Sequence, residues 1–456
     1  MMSKMSLNRR DFLSSAALAG VGTLGGGALL SSCGGGANTP ALIPLLPEAQ
    51  WNIPASLPDK AKDGVPLKAG VIGCGGRGSG AAENFLNAGP NLSITALGDV
   101  FADRIASCNK NLKEKFNAEV PADNCFVGFD AYQKVIDSGV DIVIVATPPN
   151  FRPLIFKAAV EAGKHAFLEK PVAVDPVGAR SIIATSKQAV AQGLCCVTGT
   201  QRHHERVYIE GYKQVQSGLI GDIVSANLYW NGGQLWYRNK EKGWSDVEWM
   251  IRDWVNWTWL SGDHIVEQHV HNLDVFTWFS NGLKPISAVG FGSRQRRVTG
   301  DQFDNFSIDF TYENGIHVHS MCRQINGTKE NVSEQIHGTK GTWYGTWGYG
   351  EIKDLKGNTI WKYDQEKAKT EYQQHDPYTL EHVDLVNHIR DKQPFSQAEE
   401  TAVSTIVAVM GRLSSYTGLE VTWDEVIGSD LNLLPENLSL KDLDLTKYPI
   451  PVPGKA

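Results

Sequence analysis

The sequence predicts an α/β protein of two joined units, an N-terminal doubly wound domain with a parallel sheet and a C-terminal α+β domain with a large open, mostly antiparallel sheet. Three features carry that prediction. Largely apolar runs at 67–72, 139–146 and 165–168 alternate with helix-like stretches at 80–88 and 152–162, the rhythm of parallel strands buried on both faces. A glycine-rich turn directly follows the first run. Beyond residue 218 the pattern changes to longer strands of alternating polarity, as at 305–312 and 315–323, with few helices between them. At 456 residues the chain exceeds one ordinary core, so two or three domains are expected.

The first residues read as an address. Arg9 and Arg10 precede a weakly apolar, Gly- and Ala-rich stretch at 16–30, which resembles a twin-arginine (Tat) export signal and is too short and glycine-rich for a convincing membrane span. Leu30-Ser31-Ser32-Cys33-Gly34 resembles a bacterial lipobox, in which Cys33 would be lipidated. The expectation is an exported, periplasmic chain anchored to a membrane through Cys33. A soluble secreted protein, or a cytoplasmic one with an N-terminal tail, is the alternative. Residues 34–62 have the Gly and Pro content of a linker.

The glycine turn, Gly73-Cys74-Gly75-Gly76-Arg77-Gly78, fits G-x-G-x-x-G between a strand and a helix. The pattern asks Gly73 for a tight turn, Gly75 for close approach of backbone to a pyrophosphate and Gly78 for helix packing, with the phosphates on the helix N-terminus. Gly76 and Arg77 complete the loop. A second strand at 93–98 ends in Asp99, at the distance where an acidic residue takes ribose hydroxyls. Asp99 would repel a 2′-phosphate, so NAD is expected over NADP; Arg104 nearby weakens that preference. The run at 139–146 stops at Thr147-Pro148-Pro149-Asn150, and strand ends of this kind line the ligand crevice, so Thr147, Pro148 and Asn150 join the cofactor candidates. The strand at 165–168 leads to Glu169-Lys170-Pro171. The domains are expected as a signal at 1–33, a linker at 34–62, a Rossmann domain at 63–198, a substrate and oligomerisation domain at 199–424 with helices at 381–390 and 401–416 returning to the first, and a tail at 425–456.

The glycine loop, Asp99, the Val-Ala-Thr-Pro-Pro strand end and Glu169-Lys170-Pro171, in that order, resemble the glucose-fructose oxidoreductase, inositol dehydrogenase and rhizopine-catabolism (Gfo/Idh/MocA) family, from about residue 67 to about 424. The resemblance implies an NAD-dependent oxidoreductase of sugars or cyclitols, with Glu169 and Lys170 beside the nicotinamide and Lys170 at the substrate hydroxyl. A second family signature, an acidic residue, then His four positions on and Asp three further, matches Glu267, His271 and Asp274. This chain departs from it in having Glu267 where Asp is usual and His269 where Gly is usual. The resemblance also places Arg202, Trp236 and Tyr237 against substrate, with His203 and His204 as weaker candidates; for Arg202 a structural ion pair is the alternative. Relatives of this fold include NAD-dependent α-N-acetylgalactosaminidases, whose motifs differ, so a redox-neutral glycoside hydrolase is the second reading.

Chemistry supports the same residues. Hydride loss from a carbinol needs its hydroxyl proton taken up, and His271 is suited to be that base with Lys170 polarising the oxygen, or Lys170 is itself the base if its pKa is depressed. The sequence leaves both open. A net charge of −7 argues against nucleic acid as a partner. No CxxC or paired-His pattern points to a metal, and the His264, Glu267, His269, His271 group is expected to bind none. The Trp-rich region at 230–278 reads either as a sugar-binding wall or as interface core. A homodimer or homotetramer is expected through the open sheet.

Overall fold

The computed structural model describes residues 57–436 and 438–455, so the twin arginine and Cys33 lie outside the described residues. Its first sheet has β1 (Leu67–Ile72), β2 (Leu92–Asp99), β3 (Cys125–Val127), β4 (Ile142–Val145), β5 (His165–Leu168) and β6 (Cys195–Thr198), ordered β3-β2-β1-β4-β5-β6 and all parallel. A seventh strand, Phe395–Ser396, adds in parallel beside β6. Every residue of β4 is buried, as a strand covered by helices on both faces must be. The apolar run at 139–146 yields only these four strand residues, because Gly139 takes a φ of +85° in the turn before it. The helix expected over 80–88 begins earlier, at Gly76, since the last residues of the glycine loop are already its first turn.

The second sheet contains β7 (Ile223–Gly232), β8 (Ser287–Ser293), β9 (Asn305–Thr311), β10 (His317–Gln324), β11 (Asn331–Gly338), β12 (Gly341–Thr346), β13 (Tyr349–Asp354) and β14 (Thr359–Lys362). Numbering Phe395–Ser396 as β15, it closes with β16 (Val421–Thr422), in the order β14-β13-β12-β11-β7-β10-β9-β8-β16. All neighbours are antiparallel except β7 and β10. Along β10, Val318, Ser320 and Cys322 are buried while His319, Met321 and Arg323 between them are less so, the period-two signature of a sheet with one covered face.

Helices are more frequent in this half than its sequence suggests. Between β7 and β8 come Asp246–Arg252, Thr258–Ser261, His264–Glu267 and Val270–Phe279, the last buried on every side. Such a helix carries no amphipathic stripe to announce it. Trp257, Trp259 and Trp278 are core residues, so much of the Trp-rich region is interior, whereas Trp236 is 46% exposed. Two later helices return to the first sheet: Pro377–Arg390 packs on Gly76–Asn87, and Ala398–Thr417 on Pro176–Ala191.

Candidate active site

The glycine loop is shaped by two close approaches. A Cβ on Gly73 would lie 2.6 Å from the Thr147 nitrogen, and one on Gly78 only 1.8 Å from the Gly73 oxygen. At Gly75 and Gly76 a Cβ would meet no atom within 4 Å, so these two glycines border open space rather than protein. The helix they open has no side-chain cap and no acidic residue in its first turn, leaving its N–H groups and positive dipole end available to an anion. Beside it, Asp99 accepts hydrogen bonds from the backbone N–H of Cys74 at 2.7 Å and of Phe101 at 2.9 Å, which fixes its carboxylate at the end of β2. Burial pushes that carboxyl above its ordinary pKa despite those two bonds. A cleft of about 380 Å³ runs over Gly73, Asp99, Thr147 and Pro148. The Thr147 hydroxyl is buried there with no protein partner.

Three of the expected cofactor residues are engaged by other groups of the protein. Asn150 is buried and donates to the Trp259 carbonyl at 2.6 Å, tying the strand end to a helix of the second unit. Arg77 turns its Nε onto Glu169 and lies over the Tyr378 ring, with Glu381 behind it. Glu169 is therefore spent on Arg77 and on the Lys170 backbone N–H. These bonds tie the glycine loop and the ends of β4 and β5 to neighbouring elements. Arg152, which no motif marks, does the same work: fully buried, it donates to the Thr147 carbonyl at 2.7 Å and the Pro171 carbonyl at 2.5 Å, joining the two strand ends on either side of the site. Burial draws its guanidinium down to about 10.

Lys170 follows β5 and its peptide bond to Pro171 is cis. Its Nζ donates to the Glu267 carboxylate at 2.9 Å and to the Glu267 carbonyl. His271 stacks on Trp230, ring centroids 5.6 Å apart, and no protein hydrogen bond engages its ring nitrogens among the described residues. Burial first, then the charges of Lys170 and Arg202, holds its imidazole well below the ordinary histidine range, so the ring is neutral. Trp230 escaped sequence reasoning because its partner lies on another element.

The remaining expectations divide. Asp274 is 2% exposed, one oxygen bound to His203 Nε2 at 2.7 Å and the other to the Ser404 hydroxyl at 2.8 Å, three residues along the helix from His271. Arg202 pairs with buried Glu334 at 2.9 Å, and Glu334 also accepts from Tyr208 at 2.8 Å, so the ion-pair alternative describes it. His204 bonds to Asp384 at 3.1 Å. Trp236 and Tyr237 are exposed, Trp236 lying edge-on to Trp254 and under the Arg238 guanidinium. The histidines near the site disperse into separate pairs, His264 with Asp263 and His269 with Ser320, and among the described residues no three His, Cys, Asp or Glu side chains could hold a metal ion.

The site thus joins an open anion cradle on a parallel sheet, a fixed acid at the end of β2, an amine after β5 and a carboxylate and imidazole from two helices of the second unit. The description of an oxidoreductase family with an NAD-binding Rossmann fold matches residues 67–197, and that of a GFO/IDH/MocA C-terminal domain matches 208–344. The chain belongs to the Gfo/Idh/MocA oxidoreductase family. It is 21% identical to the scyllo-inositol 2-dehydrogenase (NAD(+)) of Bacillus subtilis, over 60% of this chain and 72% of that one, and its first unit is an NAD-binding Rossmann fold. It is also 28% identical to a glycosyl hydrolase family 109 protein of Porphyromonas gingivalis, over 39% of each chain. The fold is shared with the aldose-aldose oxidoreductase of Caulobacter crescentus solved with glycerol, at 17% identity and a TM-score of 0.60, covering 78% of this chain and 99% of that one. The residues present fit the nucleotide: Gly75 and Gly76 border open space at a helix N-terminus without a side-chain cap, and Gly73, Asp99 and the unpartnered Thr147 hydroxyl belong to the cleft beside them.

Proposed function

We propose that this Gfo/Idh/MocA oxidoreductase acts on a ring hydroxyl of a sugar, glycoside or cyclitol, with the nucleotide kept in place between half-reactions. The observation that carries the proposal is the neutral, unpartnered His271 beside an ammonium held by Glu267. NAD, when bound, supplies the hydride acceptor. Lys170 then polarises the substrate oxygen, Glu267 keeps its ammonium aimed, and His271 takes the hydroxyl proton as the carbon gives up hydride. Arg152 and Asn150 hold the strand ends that set these positions. The names of the relatives fit a polyol or sugar substrate, and that of the Caulobacter structure fits a cycle in which a second sugar carbonyl takes the hydride back.

A redox-neutral hydrolase is the second reading, favoured by the family 109 relative; it would oxidise, eliminate, hydrate and reduce on one nucleotide. Export and a lipid on Cys33 belong to the same proposal, because outside the cytoplasm a nucleotide must be regenerated without leaving. Association through the open second sheet into a dimer or tetramer completes it.

The deciding experiment denatures the purified protein and assays the released nucleotide, then adds sugars and glycosides to the native protein and follows nicotinamide absorbance. Absorbance that rises and persists until a carbonyl compound is added supports the oxidoreductase. Glycoside cleavage without net cofactor change replaces it with the hydrolase. Fractionation of cells carrying Cys33→Ser reports on the anchor, which predicts loss of the protein from membranes.

A further inference from the structure

Residues 429–436 and 438–448 lie outside both family matches, 67–197 and 208–344, yet they reach the nucleotide cleft. They are pinned at two ends. On one side Arg180 donates to the carbonyls of Ile427 at 2.5 Å and Ser429 at 2.6 Å, and the Leu433 N–H reaches the Asp175 carboxylate at 2.7 Å. On the other, the Val247 N–H donates to the Lys441 carbonyl at 3.2 Å and the Leu443 N–H to Asp246 at 3.0 Å. Leu433, Leu438, Leu443 and Tyr448 pack on a small core of Phe101, Val247, Met250 and Trp257. Between the pins, Leu434, Pro435 and Leu438 face into the cleft that holds Asp99, Phe129 and Tyr132.

We infer that this segment is a fixed strap forming the outer wall of the adenosine end of the NAD site, and that it sets how slowly the nucleotide leaves. The position follows from chemistry on the page. The phosphates belong at Gly75 and the helix N-terminus, and Asp99 marks the ribose, so the apolar end of the cleft beyond Asp99 is where the flat base goes. Both pins are protein-to-protein bonds, so the wall stands before the nucleotide arrives. A preformed wall spares the ligand an ordering cost, and its effect falls mainly on dissociation. The inference rests on the nucleotide and not on which sugar is oxidised.

The test uses the full chain loaded with NADH and mixed with excess NAD, the loss of bound NADH fluorescence giving the dissociation rate, with thermal unfolding by circular dichroism alongside. Leu434→Asp places a carboxylate on the wall without touching the pins, and Leu434→Gly removes the side chain without adding charge. Both are expected to speed dissociation by about tenfold or more, equivalent to about 1.4 kcal/mol, with the unfolding midpoint held. Deletion from Ser429 onward is expected to do so more strongly. A rate within about twofold of wild type for either folded Leu434 variant overturns the strap, and a wild-type chain that binds no NADH overturns the cofactor and the strap together.

Discussion

The Lys170 ammonium and the Glu267 carboxylate lie 2.9 Å apart, and the Glu267 carbonyl accepts a second hydrogen bond from the same ammonium. One residue follows β5 of the first sheet; the other ends a short helix that belongs with the second. The pair is thus both a piece of the site and a joint between the two units, and removing one partner strands a charge that burial makes costly.

Glu267→Gln keeps the backbone contact and discards the charge, whereas Lys170→Ala discards the cation. Both are expected to slow reduction of the bound nucleotide in a single turnover by about 10²- to 10⁴-fold. Nucleotide content after purification should stay at the wild-type level, which separates a role in proton handling from one in cofactor binding.

The pH profile of that turnover should reflect the depressed imidazole of His271. A base whose pKa lies well below the ordinary 6.5 stays unprotonated as the medium is acidified through that value, so the rate should show no acid limb near 6.5. A limb there, abolished by His271→Gln, would contradict the burial that keeps this ring neutral.

Two glycines of one loop should fail in opposite ways. Gly78→Ala drives a methyl to 1.8 Å from the Gly73 oxygen and is expected to cost several kcal/mol, on the order of 3, in thermal or urea unfolding. Gly75→Ala meets no protein atom within 4 Å and should unfold like wild type while losing nucleotide, as read by the absorbance of the purified protein.

Asp99→Asn tests the fixed acid. The amide has one acceptor oxygen for two backbone N–H donors, so one donor is left facing an NH₂ group, at about 1–3 kcal/mol. Titration with NAD and NADP is expected to show weaker NAD binding and a smaller preference for it.

Glu205 offers a stability experiment away from the chemistry. It is 7% exposed, one oxygen accepts the Gly348 N–H at 2.7 Å, the other has no partner, and burial raises the carboxyl from 4.5 to about 7. A raised folded-state pKa means that its contribution is fully present below 4.5 and is lost as pH climbs through about 7. The stability of Glu205→Gln relative to wild type should therefore grow across that window, by about 3 kcal/mol at most, and level off above it.

The parallel sheet and its loop were legible because both are local: β1, β2, β4 and β5 announce themselves as apolar runs, and the glycines carry a spacing. Lys170, Glu267 and His271 were reachable through a resemblance to family motifs. Asn150 was not, since nothing near it in sequence reveals the Trp259 carbonyl that takes its amide. The protein partners of Asp274 were not legible either. It stands three residues after His271, so the two share a helix face, but on a helix buried all round that face meets His203 and Ser404 as well as the site. Arg152 and Trp230 belong to no motif, and their roles come from elements brought together only by folding.

The strand β15, two residues long, has a consequence for synthesis. Phe395–Ser396 completes the edge of a sheet whose other strands end at Thr198, and it does so beside β6, between the two helices that come back to cover that sheet. A nascent chain that has produced all six earlier strands still lacks this edge and both covering helices. The first sheet is thus completed only after the residues of the second sheet between Ile223 and Lys362 have been made, so the nucleotide-binding unit cannot finish folding ahead of the unit that follows it in the chain.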